Sequence, residues 1–386
     1  MSREALDAAI ARAGAALAGA GFLPVEVPVL LPMEDFVRIS GEEFRRRILV
    51  VADGAGMERC LRPEFTIPVC RQMLGGGAGG GRFSYSGKIF RNGRPGEGDE
   101  VWQMGGEVIG VHDVAATDAE VLALALDVAR GGGVTRPSVL AGDVGLFAAL
   151  LKALAVPPAW KRRLMTQFGD PAKVNETVAR MAAPRAGFAQ FAAHGEVIGA
   201  LAGVAPEKVG ELFADILSIA GVQTVGGRSP SEIAERVLEQ ARLATEEVMP
   251  AEHARLIADF LAIEAPLGRA AGDLAALAAR LPGRPEAFSE ALALFEARAA
   301  AIAAAGTGTA DVVFSARFGR RLGYYDGFVF DVSDAARPAL GQVCGGGRYD
   351  ALMPGFGAPA GSRAVGFAIW TERLAALAGA DRGTRP

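Results

Sequence analysis

The stretch YYDGFVFDV at 324–332 says most about the fold, together with LRPEFT at 61–66 and FSYSGKIFRNGRPGEGDEVWQMGGEVIG at 83–110. The longest of these contains two segments of alternating apolar and polar residues on either side of a loop rich in Gly and Pro. That pattern predicts two antiparallel strands joined by a turn. The other two stretches supply acidic and hydroxyl-bearing side chains, which a small polar ligand needs when it leaves water.

Polar side chains are predicted to collect on one face of these strands. Arg91 ends the first strand, and Gln103 and Glu107 lie on one face of the return strand with Gly105 between them. A cation, an amide and a carboxylate can therefore converge over one surface, where Gly105 leaves a hollow for a ligand to approach the backbone. The alternative is a solvent-facing polar strip on a half-exposed sheet.

Glu64 and Thr66 in LRPEFT are further candidates for ligand binding. The ammonium group of a free amino acid must be met by carboxylates or carbonyls in a site without water, and Glu64 can serve that need. The alternative is a solvated acid at a strand-to-helix junction, with Thr66 as the helix N-cap.

The remaining sequence divides into strand-like and helical parts. Residues 3–19 have the helical apolar period, and short strands follow from about 46 to 110. Strand-like segments return at 311–332 and 341–348, with a last helix near 371–378. Between them the helical period recurs at 118–130, 145–155, 230–243, 251–264 and 286–306. We predict an α+β fold in which an antiparallel sheet flanked by helices is built from 1–130 and 311–386, with a largely helical insertion at 131–310.

Composition favours some classes of protein over others. A chain of 386 residues with 51% hydrophobic content favours an ordered globular protein. The net charge of −4 disfavours binding to nucleic acid, and no apolar run approaches the roughly 20 residues needed to span a membrane. Three widely spaced cysteines and three histidines do not form a metal-binding pattern, so we expect reduced, buried thiols and no metal. The segment at 1–21 lacks the continuous apolar core of a signal peptide, so we expect a cytoplasmic protein.

The order of these segments resembles the catalytic core of class II aminoacyl-tRNA synthetases. The segment at 21–36 is similar to motif 1, whose proline (here Pro28) lies at the dimer interface. The strands around Arg91 resemble motif 2, and RAVGFAIWTERL at 363–374 resembles motif 3. LRPEFT, YYDGFVFDV and CGGGRYDAL at 344–352 resemble the histidyl branch of the class. The resemblance covers 1–130 and 311–376 well and the helical insertion poorly.

The resemblance implies a pocket for histidine. In the histidyl family the amino acid is bound by residues that match Glu64, Thr66, Arg91, Gln103, Glu107, Tyr324 and Tyr325. Arg320, or the adjacent Arg321, matches a catalytic arginine of that family, and we include Arg320 among the candidate histidine-binding residues. A tyrosine is also chemically suited to an imidazole, because it offers an aromatic wall and a hydroxyl that can bond either ring nitrogen. Adjacent residues on a strand face opposite ways, so we expect one of the two tyrosines in the pocket and the other in the core.

The parts that hold ATP in the synthetases differ in this chain. Gly93 stands where the family has a glutamate, and the motif 2 loop is shorter, so no basic residue matches the second loop arginine. Trp370 replaces a glycine that lies under the nucleotide, and its indole is expected to fill that space if it points inward. Arg373 keeps the motif 3 arginine. The chain continues only from Ala375 to Pro386 after motif 3, so we expect no anticodon-binding domain.

These departures resemble the regulatory subunits of ATP phosphoribosyltransferase. In that family a catalytically silent, synthetase-like homodimer assembles with short-form catalytic subunits and passes on feedback by L-histidine. The resemblance implies no catalytic residue, no cofactor and no membrane or nucleic-acid partner. Two alternatives stay open. The chain could be a truncated synthetase-like enzyme that adenylates an amino acid with Arg91, Arg373 and Arg320, or a scaffold with a vestigial pocket.

Overall fold

The structure, a computed structural model, describes residues 3–52, 58–76, 80–93, 98–110, 112–182, 208, 211, 215, 249–283, 285–306, 311–320 and 322–380. The helix predicted at 230–243 lies outside these residues. Contacts divide the chain into two compact units. The first is Met1–Leu150 with Phe260–Pro386, and the second is Leu151–Asp259.

A mixed sheet forms the centre of the first unit. Its strands are β1 (Leu23–Pro24), β5 (Gly81–Phe90), β6 (Glu100–Ile109), β7 (Pro137–Asp143), β8 (Glu264–Pro266), β9 (Asp311–Ser315), β10 (Phe328–Asp334), β11 (Gln342–Arg348) and β12 (Ala364–Trp370). Within the described residues their order is β1-β5-β6-β12-β11-β10-β7-β9-β8. The β1–β5 and β7–β9 pairs are parallel and the other neighbours are antiparallel, which confirms a mainly antiparallel sheet.

The sheet extends into the segment that the sequence predicted to be a helical insertion. Strand β7 pairs with β10 over its whole length, and β8 pairs with β9. The second unit spans Leu151–Asp259, whereas the predicted insertion runs from 131 to 310. The difference has a local cause, because β7 is a single seven-residue strand between two helices with the predicted apolar period.

The helices described in the first unit include those predicted at 3–19, 118–130, 145–155, 286–306 and 371–378, whereas those at 34–45 and 267–278 were not predicted. The helices of this unit are α1 (Arg3–Gly19), α2 (Glu34–Arg45), α3 (Thr66–Gly75), α4 (Val114–Gly131), α5 (Val144–Ala153, crossing the boundary), α9 (Leu267–Ala278), α10 (Glu286–Ala304) and α11 (Thr371–Ala380). Helix α1 buries Ala9, Ala13 and Leu17 on one side, as its spacing predicts. Helix α4 begins at the N-cap Asp113, whose carboxylate accepts the Ala116 N–H at 3.0 Å.

The described part of the second unit is helical, as predicted for the centre of the chain. It contains α6 (Pro158–Gln167), α7 (Pro171–Ala182) and most of α8 (Ala251–Leu261). Trp160, Leu164 and Val174 are buried within it. The Thr177 hydroxyl donates to the Gln167 side-chain oxygen at 2.6 Å, which satisfies a buried polar group between two helices.

The segment at 21–36 is less regular than the predicted edge strand. Only two residues form β1, and β2 (Leu30–Pro32) joins a separate small sheet with β4 (Glu58–Leu61) and β3 (Val50–Ala52). Proline cannot donate to a strand ladder, and three prolines interrupt this segment. Val27 and Leu31 are buried within the chain, while Leu23 and Val29 are 64% and 45% exposed.

The three cysteines are buried, as the sequence predicts. Cys60, Cys70 and Cys344 are free and buried, and burial raises the pKa of the Cys60 thiol to about 11. Over the described ranges, no three His, Cys, Asp or Glu side chains form a group that could hold a metal ion. The helices seen in the structure include none that is both long and apolar enough to span a membrane.

Candidate ligand-binding site

Glycines form the floor of the candidate site. On one face of the central strands, Gly105 lies opposite Tyr85 on β5 and Ala368 on β12, and Gly366 lies opposite Glu107. A Cβ at Gly366 would collide with the Glu107 carboxylate, and one at Gly105 would collide with the Tyr85 hydroxyl. The absence of side chains therefore lets polar groups lie flat against the sheet. The hollow predicted at Gly105 is filled, because Tyr85 reaches across it and donates to the Phe367 carbonyl at 3.3 Å.

Glu64 is buried at the start of α3. Its side-chain oxygens accept the N–H groups of Thr66 and Ile67 at 2.7 and 2.9 Å, so it caps the helix that follows it. The alternative of a solvated acid is wrong, since Glu64 is only 3% exposed. Burial raises the pKa of Glu64, although these backbone hydrogen bonds and the positive charge of Arg91 oppose the shift.

Glu107 is the second buried acid of the site. One of its oxygens accepts the Thr66 hydroxyl at 2.7 Å, and the other accepts a short hydrogen bond from the Tyr349 hydroxyl. The residue is 1% exposed. Burial raises the pKa of Glu107 to about 8 against the effect of both hydrogen bonds, and the nearby charge of Glu64 raises it further. Two acids thus share one enclosed region, a feature typical of functional sites.

Three tyrosines surround these acids. The rings of Tyr324 and Tyr325 are 4.7 Å apart, and Tyr349 contacts both edge-on at 5.9 and 6.4 Å. The Tyr324 hydroxyl donates to Glu64 at 3.4 Å. That only one of the adjacent tyrosines enters the site stays a prediction, but its premise of a strand does not hold. They lie in the turn before β10, which begins at Phe328, so strand alternation does not apply to them.

Two arginines border the acids and tyrosines. Arg91 donates to the Pro63 carbonyl at 2.5 Å, and burial followed by the like charge of Arg47 lowers the pKa of Arg91 to about 10. Arg320 forms an ion pair with Asp331 and lies 5.5 Å from the centre of the Tyr325 ring. Burial would lower the pKa of Arg320, but the Asp331 carboxylate raises it above its usual value. The Nε of Arg320 is buried and has no hydrogen-bond partner among the described residues.

Most of the predicted site residues are therefore brought together. Hydrogen bonds and ring contacts link Glu64, Thr66, Glu107, Tyr324 and Tyr325. Gln103 is buried on β6 between Gly87 and Trp370. Strand alternation places it on the same face of β6 as Gly105 and Glu107.

Tyr349 is a central residue that the sequence analysis did not include. It follows directly after β11 in the CGGGRYDAL segment, and its hydroxyl is bonded to Glu107. Most of that segment lies on β11, the neighbour of the strand β12 that carries Gly366, and this position could have indicated a role for Tyr349 in the site. All four tyrosines of the chain, Tyr85, Tyr324, Tyr325 and Tyr349, lie around the site.

Arg91 also lines an open cavity, whose volume of about 590 Å³ includes open solvent. Trp370 forms part of its wall with Arg47 and Arg373, and the Arg373 guanidinium lies 4.9 Å from the centre of the indole. Gly93 donates its N–H to the Asp99 carboxylate at 2.7 Å. Residues 94–97 of the motif 2 loop lie outside the described residues. The indole of Trp370 is thus part of the cavity wall, and that it fills the space of a nucleotide stays a prediction.

Comparisons with known proteins support the fold. A family model described as histidyl-tRNA synthetase matches residues 3–197 and 211–374. A solved structure described as an ATP phosphoribosyltransferase regulatory subunit/histidyl-tRNA synthetase from Bacillus halodurans has a TM-score of 0.68 and 19% identity, covering 97% of this chain and 79% of that one. A histidine-tRNA ligase subunit from Alicyclobacillus acidocaldarius has a TM-score of 0.61 and 23% identity, covering 98% and 94%. These similarities confirm the α+β, class II synthetase-like fold.

Curated relatives are more similar in sequence. Proteins named ATP phosphoribosyltransferase regulatory subunit from Brucella ovis and Brucella melitensis biotype 1 are each 39% identical to this chain over 363 residues. The match covers 92% of this chain, 93% of the first relative and 92% of the second. The similarity therefore includes both compact units.

Proposed function

Because the chain belongs to the histidyl-tRNA synthetase-like family, and within it to the ATP phosphoribosyltransferase regulatory subunits, we propose that it binds L-histidine between β6, α3 and the tyrosine cluster. As a non-catalytic regulatory subunit it acts through a separate short-form catalytic chain, and histidine bound here inhibits that chain in the first step of histidine biosynthesis. The cluster of Glu64, Glu107 and three tyrosines is the observation that carries the proposal.

The chemistry of the cluster matches the three polar parts of histidine. Glu64 offers a carboxylate to the ammonium group, and Arg91 and Arg320 offer guanidinium groups to the carboxylate, including the unpartnered Nε of Arg320. Glu107 and the tyrosine hydroxyls offer hydrogen-bond partners to the imidazole. Thr66 and Gln103 complete the polar lining. Water is excluded from the two acids, so each bond with the ligand is worth more than on an exposed surface.

Calorimetry with free amino acids tests ligand selectivity. We expect heat of binding with L-histidine, and at least tenfold weaker binding of L-phenylalanine and L-glutamine. A site built to hydrogen-bond an imidazole leaves its polar groups unpaired with those side chains, and each unpaired group costs about 1–3 kcal/mol of binding free energy. The same titration is run with the reconstituted complex. Absence of heat with histidine in both preparations would contradict the proposal.

A second test concerns chemistry at the cavity. We expect no histidine-dependent exchange of pyrophosphate with ATP, because Trp370 and the Arg373 guanidinium beside it occupy the wall where the family places a glycine, and Gly93 supplies no carboxylate. Trp370→Gly alone is not expected to restore exchange. Clear exchange by the unmodified chain would favour the alternative of an enzyme that adenylates an amino acid.

We also propose a homodimer through the segment at 21–32. Leu23 and Val29 are exposed there although both are apolar, next to β1 at the edge of the large sheet. Sedimentation velocity should show that Val29→Asp shifts the chain toward monomer, while Leu294→Asp on α10, where the leucine is 38% exposed, leaves the dimer intact. A monomeric unmodified chain at micromolar concentration would contradict this proposal.

Regulation by histidine further requires that histidine bind two states of the complex with different affinities. A ligand that binds two states of a complex equally well cannot shift their populations. We therefore propose that histidine binds more tightly to the inhibited state of the complex with the catalytic subunit. The cytoplasmic location stays a prediction.

A further inference from the structure

A network of buried charges includes Arg348, the residue directly before Tyr349. Asp118 on α4 is fully buried and pairs with two arginines, Arg298 on α10 at 2.7 Å and Arg348 on β11 at 2.6 Å. Arg298 also pairs with Asp143 at 2.6 Å, and Arg348 with Asp350 at 2.8 Å. Burying such charges is costly, and a network of this kind is weak evidence for stability alone.

Arg348 differs from Arg298 because it contacts the turn that carries the site tyrosines. The Arg348 carbonyl accepts the Asp326 N–H at 3.1 Å, directly after Tyr325. The aliphatic part of Arg348 packs under Gly327, where a Cβ would lie 3.1 Å from its Cδ. The Asp326 carboxylate in turn accepts the N–H groups of Asp350, at 3.0 Å, and of Ala351. The turn at 324–327 is thus fastened to the segment that follows Arg348.

Tyr349 is the next residue in the chain after Arg348, and its hydroxyl bonds to Glu107. One arginine therefore fixes the backbone on both sides of the candidate site, at Tyr349 and at the 324–327 turn. We propose that Arg348, held by Asp118 and Asp350, is a positioning residue that sets the three tyrosines in the arrangement that recognises the ligand. The inference rests on the proposed histidine site for its functional consequence, and on the structure for the positioning itself.

Arg348→Lys and Arg298→Lys form a matched pair of variants. Each keeps a buried positive charge next to Asp118 but loses the planar fork of donors, so both are expected to lower the melting temperature. Only Arg348→Lys is expected to weaken L-histidine binding, by about tenfold or more, because it loosens charge-assisted hydrogen bonds that hold the tyrosine segments. Arg298→Lys should change the affinity less than twofold.

A readout without ligand separates this inference from the proposed function. Tyrosine labelled with ¹³C at Cζ gives four signals, all from residues around the site, and Tyr→Phe variants assign them. In the ligand-free chain, Arg348→Lys should shift the signals of Tyr324, Tyr325 and Tyr349 and leave that of Tyr85 in place. Arg298→Lys should shift none of them. If the unmodified chain binds no histidine, the proposed function fails while these shifts still test the positioning role.

A milder variant serves if Arg348→Lys does not fold. Gly327→Ala places a methyl group against the Arg348 side chain without removing a charge. It should shift the same three tyrosine signals and weaken histidine binding. The inference is overturned if both lysine variants lose equal affinity at equal loss of melting temperature. It is also overturned if Arg348→Lys, or Gly327→Ala in its place, folds with an unchanged tyrosine spectrum.

Discussion

Glu107→Ala is expected to weaken L-histidine binding by about 1–3 kcal/mol, or about five- to 150-fold. The carboxylate is almost fully buried and is shared by Thr66 and Tyr349, so its removal leaves two hydroxyl groups without their acceptor and the ligand without a partner. Calorimetry on the variant and the unmodified chain measures the difference directly. Glu100→Ala, an exposed acid at the other end of the same strand, is the control and should bind normally.

The same variant tests feedback. In a complex reconstituted with a short-form catalytic subunit, histidine is expected to inhibit formation of phosphoribosyl-ATP from ATP and phosphoribosyl pyrophosphate. Glu107→Ala should raise the histidine concentration needed for inhibition by the factor found in calorimetry, because a ligand shifts a two-state equilibrium only through its differential affinity. Gel filtration should show that assembly is unaffected. Equal inhibition of the variant and unmodified complexes would place the regulatory site elsewhere, such as on the catalytic chain.

The acids of the site were predictable from sequence because their positions depend only on residues close to them in the chain. Glu64 lies two residues before a helix start, and strand alternation places Glu107 with Gln103 and Gly105. The tyrosines were less predictable. Tyr324 and Tyr325 lie in a turn, whose side-chain directions follow from tertiary contacts and have no fixed period. Tyr349 gains its role from a hydrogen bond to a residue 242 positions away in sequence, which no local pattern records.

The fold shows the same division between local and long-range information. Long amphipathic helices such as α4 and α10 follow their period closely, since each buries one face. Strand β7 was missed because a short strand cannot be recognised from its own residues when its pairing partner is distant in sequence. Its partner β10 begins at 328. The buried pairs of Asp118 could not be predicted either, since an acid within an amphipathic helix ordinarily faces solvent.

Asp118→Ala is expected to be the most destabilising single change in the first unit. Asp118 is fully buried and accepts hydrogen bonds from two arginines that are 2% and 3% exposed. Its removal leaves two buried positive charges with less compensation, and breaking a buried pair in this way costs about 3–5 kcal/mol. The loss of stability should be largest where these arginines lie, on β11 and α10. The variant is therefore expected to loosen the central sheet of the first unit.

Hydrogen exchange read by mass spectrometry measures this effect in the unit concerned. Peptides from β7, β10 and β11 should exchange about a hundredfold faster or more in Asp118→Ala, in line with the loss of free energy of opening. Asp127→Ala is the matched control on the same helix. Its side chain is 69% exposed and pairs with Arg130 at the surface, so its loss should cost less than about 1 kcal/mol. Similar exchange in both variants would show that the buried network contributes little, and that the sheet is held mainly by apolar packing around Val329 and Phe330, which are both fully buried.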